Sequence, residues 1–164
     1  MANNADRLHN AALAQTTVAT QATALTQGEI ALLHERATDA ATNSYSPYSH
    51  FRVGAAVLLY ADAQQPGEVV AGTNVENASY RLSTCAEQSA IVAAIALYGP
   101  GIRLRAIAIV NLNGEASSPC GACRQTILEF GGSETAVFYP NTNGETVWTT
   151  LGALLPAAFN LARE

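Results

Sequence analysis

At 164 residues, 49% of them apolar, the chain is long enough to bury one core and does not need a second domain. Its 8 basic and 13 acidic residues leave a net charge of −5, which argues against a nucleic-acid partner, because proteins that grip phosphate backbones present a basic face. No apolar run approaches a membrane span, and an odd count of 3 cysteines points to reduced thiols rather than a disulfide framework.

Residues 1–25, rich in Ala, Thr, Asn and Gln, are expected to form a loosely attached extension, with at most a short helix over 6–14. They lack the basic start and apolar block of a secretion signal, so a cytoplasmic location is expected. The folded domain is expected over 26–164. Thr26-x-x-Glu29 reads as a capping box, and Ile30, Leu33 and Ala37 share a helical face up to about Ala41. A loop around Pro47 follows, then a buried strand over 53–60, a turn over 62–67 and a return strand over 69–75. A second helix is expected to start at Cys85 with Thr84 as its N-cap, to run through Ile91, Ile95 and Leu97, and to stop at Gly99-Pro100-Gly101.

Beyond it lie a strand over 104–110 and a turn at Asn113-Gly114. A third helix runs from near Cys120 through Ile127 and Leu128 to Gly131-Gly132. Two short strands, 136–139 and 146–148, flank Asn143-Gly144, and 151–155 is a last helical turn before a tail carrying Phe159. The order implies an α/β fold: a three-layer sandwich with one mixed five-stranded sheet and helices on both faces.

All the cysteines lie in two stretches, Thr84-Cys85-Ala86-Glu87 and Pro119-Cys120-Gly121-Ala122-Cys123. Thiols three residues apart share one side of a helical turn, and with Cys85 they make three ligands, the number that leaves a zinc ion one open position for chemistry. Glu87, two residues beyond the first ligand, is placed to carry protons without binding the metal. A Cys or His ligand, one residue, a Glu acting as general acid and base, and then Pro-Cys-x-x-Cys is the zinc deaminase pattern. The competing readings are a Thr84–Glu87 capping box, three cysteines that are small buried hydrophobes, or a redox pair plus one spare thiol. His9, His34 and His50 have no ligand spacing to the cysteines and are read as surface or loop residues. By default Phe51 would be a core residue, and Asn74 and Glu76 a solvated strand end.

From about Thr26 to Asn160 the chain resembles the small, homotetrameric cytidine deaminases. The resemblance is carried by Ser46-Pro47-Tyr48-Ser49-His50-Phe51-Arg52-Val53-Gly54-Ala55-Ala56, by Asn74-Val75-Glu76-Asn77-Ala78-Ser79-Tyr80, by both cysteine stretches with Arg124-Gln125 following, and by Leu154-Leu155-Pro156-Ala157-Ala158-Phe159. It implies hydrolytic deamination of cytidine and 2′-deoxycytidine, in pyrimidine salvage, with one zinc per subunit on Cys85, Cys120 and Cys123 and with Glu87 moving the protons. It further implies that Phe51 packs on the pyrimidine, that Asn74 and Glu76 bind the ribose hydroxyls, and that the Ala86 N–H reaches the base carbonyl. In the family, the segment of Ala78 and Tyr80, together with the C-terminal aromatic, here Phe159, comes from neighbouring subunits.

One position departs from the family, which usually has Arg directly after the catalytic Glu, where it offsets the thiolate charge. Here that place is Gln88, and Arg81 or Arg124 is expected to compensate. Two other functions remain open at this point. One is deamination of a different cytosine nucleoside such as blasticidin S; the other is an inactive zinc-stabilised binding module.

Overall fold

The computed structural model describes residues 25–61 and 67–161. The expected helix over 6–14, His9, and residues 62–66 of the expected turn lie outside the described residues.

Helix α1, Gln27–Thr42, starts as the sequence implies: Thr26 and Glu29 form a complete capping box, each side chain bonding the other's backbone N–H. The strands are β1 (Val53–Leu59), β2 (Val69–Thr73), β3 (Leu104–Asn111), β4 (Ala136–Pro140) and β5 (Thr146–Thr150). Between β2 and β3 lie a 3-10 turn, Tyr80–Leu82, and helix α2, Ala86–Tyr98; α3, Gly121–Phe130, joins β3 to β4, and α4, Leu151–Leu154, follows β5. The five strands form one sheet in the order β2-β1-β3-β4-β5. Only the β3–β4 pair is parallel, and a parallel pair needs a crossover, which α3 provides.

The sheet is covered on both faces, and β1 is accordingly buried along its whole length. Its odd-numbered residues, Val53, Ala55, Val57 and Leu59, pack with Ala90, Ile91 and Ala94 of α2 and Ile127 of α3. Ala56 and Leu58 point the other way, onto Leu33 and Ala37 of α1. That second face is floored by small side chains, Ala56, Ala106 and Ala108, so α1 comes down close. At Gly54 the approach is closest: a Cβ there would lie 1.9 Å from the Ala37 carbonyl oxygen.

Differences from expectation sit at element ends. The N-cap of α2 is Cys85, not Thr84, and the Thr84–Glu87 capping box does not form, because the Thr84 backbone bridges to Val75 instead. That same bridge, with another from Val75 to Tyr45, takes the return strand out of the sheet after Thr73. Gly99, at φ 84, ends α2 at the stop signal.

Candidate metal centre

β1 runs antiparallel to both of its neighbours, so the start of β1 and the ends of β2 and β3 share one edge of the sheet. The chain leaving β2 there leads to Cys85, and the chain leaving β3 leads to Cys120. Each cysteine is the N-cap of the helix it opens, α2 or α3, and Cys123 follows on the first turn of α3. Free backbone N–H groups and the positive ends of two helix dipoles therefore converge on the sulfurs, which favours thiolates. The Cys123 N–H donates to Cys120 Sγ at 3.4 Å.

The Sγ atoms of Cys85, Cys120 and Cys123 all lie within 4.8 Å of one another. Tetrahedral zinc, with Zn–S bonds of about 2.3 Å, holds its sulfurs about 3.8 Å apart, so the cluster already stands near ligand spacing. The thiols share protons: hydrogen bonding with Cys123 brings Cys85 down to about 7, against its burial and the nearby Glu87 carboxylate. The same bond, with burial, pushes Cys123 up. Three soft donors that cannot all ionise without a positive charge between them suit a thiophilic divalent cation. The donor set fits zinc.

Glu87 stands beside them, 5% exposed on the first turn of α2. Burial raises its carboxyl above the ordinary carboxylate value, while its own backbone N–H and the Cys123 thiol pull the other way. A carboxyl biased toward the neutral form is better suited to return a proton it has accepted than one that stays ionised.

Cys85, Glu87 and Cys120 line a cavity of about 340 Å³, together with Phe51, Asn74, Glu76, Tyr80 and Ala86. Ala86 is the first residue of α2, and its N–H has no intrahelical partner. Asn74 and Glu76 are partly spent on structure. Asn74 Oδ1 accepts from Ser44 Oγ at 2.6 Å and the Val53 N–H at 2.9 Å, and Nδ2 donates to the Phe51 carbonyl at 2.8 Å. Glu76 Oε2 accepts from the N–H groups of Tyr48 and Ser49, and Oε1 accepts from Ser49 Oγ. The amide keeps one N–H and the carboxylate a lone pair on Oε1 for a ligand.

Of the remaining candidates, Ala78, Phe159, Arg81, Gln88 and Arg124 do not line the cavity, and Tyr80 stands at its rim. Tyr80, expected to reach a neighbour's cavity, lines the rim of the cavity in its own chain, because the 3-10 turn folds back from the Val75–Thr84 bridge. Ala78 and Phe159 are exposed and do not line it; Gln125 Nε2 donates to the Phe159 carbonyl at 2.9 Å. Arg81 is exposed on the 3-10 turn, and Gln88 is half-buried next to Glu87 on α2. Arg124 spends Nε on the Pro119 carbonyl (2.8 Å) and Nη1 on that of Leu154 (2.9 Å), so it braces the backbone before Cys120.

Sequence reasoning missed Ser83 and the 116–118 segment, which also line the cavity. The signal for the latter was position alone, directly before Pro119-Cys120.

Residues 28–139 match the family described as the cytidine and deoxycytidylate deaminase zinc-binding region. A cytidine deaminase of Mycobacterium tuberculosis is 47% identical over 130 residues, covering 79% of this chain and 89% of that protein. One from Halalkalibacterium halodurans is 41% identical over 129 residues, covering 78% of this chain and 92% of that protein. Among solved structures, the cytidine deaminase of M. tuberculosis superposes with a TM-score of 0.68 at 43% identity, covering 81% of this chain and 98% of that one. That of Burkholderia pseudomallei also gives a TM-score of 0.68, at 42% identity, covering 82% and 100%.

Proposed function

This chain belongs to the zinc-dependent cytidine and deoxycytidylate deaminase family, and from that membership we propose that it hydrolyses cytidine and 2′-deoxycytidine to the uridines with release of ammonia. The observation that carries the reading is the buried Glu87 carboxyl beside a cluster of three sulfurs, all opening onto one cavity.

Zinc on Cys85, Cys120 and Cys123 supplies the Lewis acidity that makes water a nucleophile near neutral pH. Glu87 takes the proton of the attacking water, delivers it to ring nitrogen 3 and so makes carbon 4 electrophilic. It then takes the remaining proton from the new hydroxyl on carbon 4 and passes it to the amine, which leaves as ammonia as the carbonyl forms. The free N–H of Ala86 donates to the base carbonyl, and Phe51 packs on the ring. Asn74 and Glu76 offer their remaining donor and acceptor to the ribose hydroxyls, which favours a nucleoside over a free base. Gln88 gives the thiolates only neutral hydrogen bonds, so the offsetting charge comes from Arg81 or Arg124; replacing each with Ala must shift the acidic limb of the pH–rate profile in at least one variant.

The protein works as a homotetramer in the cytoplasm, in pyrimidine salvage, with Ala78, Tyr80 and Phe159 completing neighbouring cavities. Supporting this, Val75 is 45%, Tyr80 77% and Leu82 66% exposed beside the cavity, an apolar surface that self-association would cover. Light scattering on the eluting protein tests it, and a fully active monomer contradicts it. Residues 26–164 make up the catalytic domain. Leu25 packs on the α1 side of the sheet, so deleting residues 1–24 leaves turnover intact; loss of turnover in a folded truncation contradicts this.

The test of the activity is the ultraviolet absorbance of cytidine incubated with the purified protein. It changes as cytidine becomes uridine, and a strong chelator abolishes the change. A zinc-loaded protein that leaves cytidine untouched refutes the reading.

A further inference from the structure

Phe51 lies in a stretch with no place in the sheet, two residues before β1 begins at Val53, yet its ring lines the cavity. What fixes it is a set of side chains from elsewhere. Asn113, in the turn after β3, reaches across to both of its neighbours: the Arg52 N–H donates to Asn113 Oδ1 at 2.9 Å, and Asn113 Nδ2 donates to the His50 carbonyl at 2.9 Å. The adjacent Leu112 N–H donates to the Arg52 carbonyl at 3.0 Å. The bracketed backbone needs holding, because His50, at φ 59, is the only non-glycine with positive φ among the described residues. This kink sets the direction in which Phe51 leaves the loop.

Asn113 is itself fixed from the metal side. Its N–H donates to Asn111 Oδ1 at 2.6 Å, and Asn111 Nδ2 donates to Ser117 Oγ at 2.7 Å, three residues before Cys120. Ser117 lines the same cavity.

We propose that Asn113 is a positioning residue of this deaminase: its amide clamps the peptides on either side of Phe51, orients the ring that faces the base, and ties that wall to the arm carrying Cys120. The inference rests on the activity assigned above and deepens it, since Asn113 touches neither substrate nor metal.

The test is a double-mutant cycle of Asn113→Ala and Phe51→Ala on the zinc-loaded full chain, with cytidine as substrate. A ring contact made equally in the bound substrate and the transition state acts on KM. Loss of two neutral hydrogen bonds that hold the ring predicts a KM for N113A raised about five- to tenfold, with kcat within about twofold of wild type. Zinc content stays unchanged. In the F51A background the further effect of N113A on KM shrinks to less than about twofold, because the clamp no longer has a ring to place. Three results overturn the inference: an unchanged KM in N113A, a fall in kcat alone, or full multiplication with F51A. A wild-type chain that carries zinc and does not deaminate cytidine overturns the assigned activity, and this inference with it. If F51A does not fold, the split between KM and kcat in N113A decides alone.

Discussion

Gly72 of β2 lies directly beneath Ala90 of α2: a Cβ on the glycine would sit 2.3 Å from the Ala90 nitrogen. The missing side chain lets α2 settle on the sheet, and α2 presents Cys85 and Glu87 at the sheet edge. Gly72→Ala therefore has to lift the helix. The expected cost is about 1–3 kcal/mol or more, with reduced zinc retention, measured by thermal unfolding and metal analysis. Gly101→Ala, where a Cβ meets nothing within 4 Å, is the control and stays close to wild type. Identical unfolding of both variants would refute this account of helix seating.

Asn74 serves fold and ligand at once. Removing its side chain leaves the N–H of buried Val53, the Phe51 carbonyl and Ser44 Oγ without this partner. Asn74→Ala is expected to lose about 1–3 kcal/mol of stability in addition to raising KM. Denaturant titration beside steady-state kinetics checks both; a variant as stable as wild type would mean that these bonds contribute nothing net.

The capping box gives a pH dependence with a definite sign. A hydrogen bond from the Thr26 N–H, with a smaller share from the Thr26 hydroxyl and the Arg105 guanidinium, holds the Glu29 carboxyl below its ordinary 4.5. Arg105 Nη1 lies 2.5 Å from Glu29 Oε1. A carboxyl with a depressed folded-state pKa stabilises the fold fully above its unfolded value, and that stability fades as pH falls through the folded value. Glu29→Gln should thus cost on the order of 1 kcal/mol at neutral pH and converge on wild type in acid. Parallel stability curves over pH 2–7, on the order of that range, would count against it.

The centre was legible because its information is local. Cys85 and Glu87 are two residues apart, Cys120 and Cys123 three, and both pairs lie on helix first turns whatever the rest of the chain does. Thr26 and Glu29 are legible for the same reason. Thr84 was misread as an N-cap because its backbone is taken by Val75, across a loop whose path the local pattern does not specify. The turn at Asn113-Gly114 was visible, but the partners of Asn113 lie 61 and 63 residues away. Only the pairing of β1 with β3 brings them together.

The central claim is that three sulfurs hold the metal while the adjacent carboxyl moves the protons. Metal content and cytidine turnover, measured together on wild type and Glu87→Gln, test it most directly. The expected result is one zinc per chain in both proteins, with turnover in the variant lower by about 10²–10⁴-fold. A Glu87→Gln protein that keeps its zinc and deaminates cytidine at the wild-type rate would contradict the account.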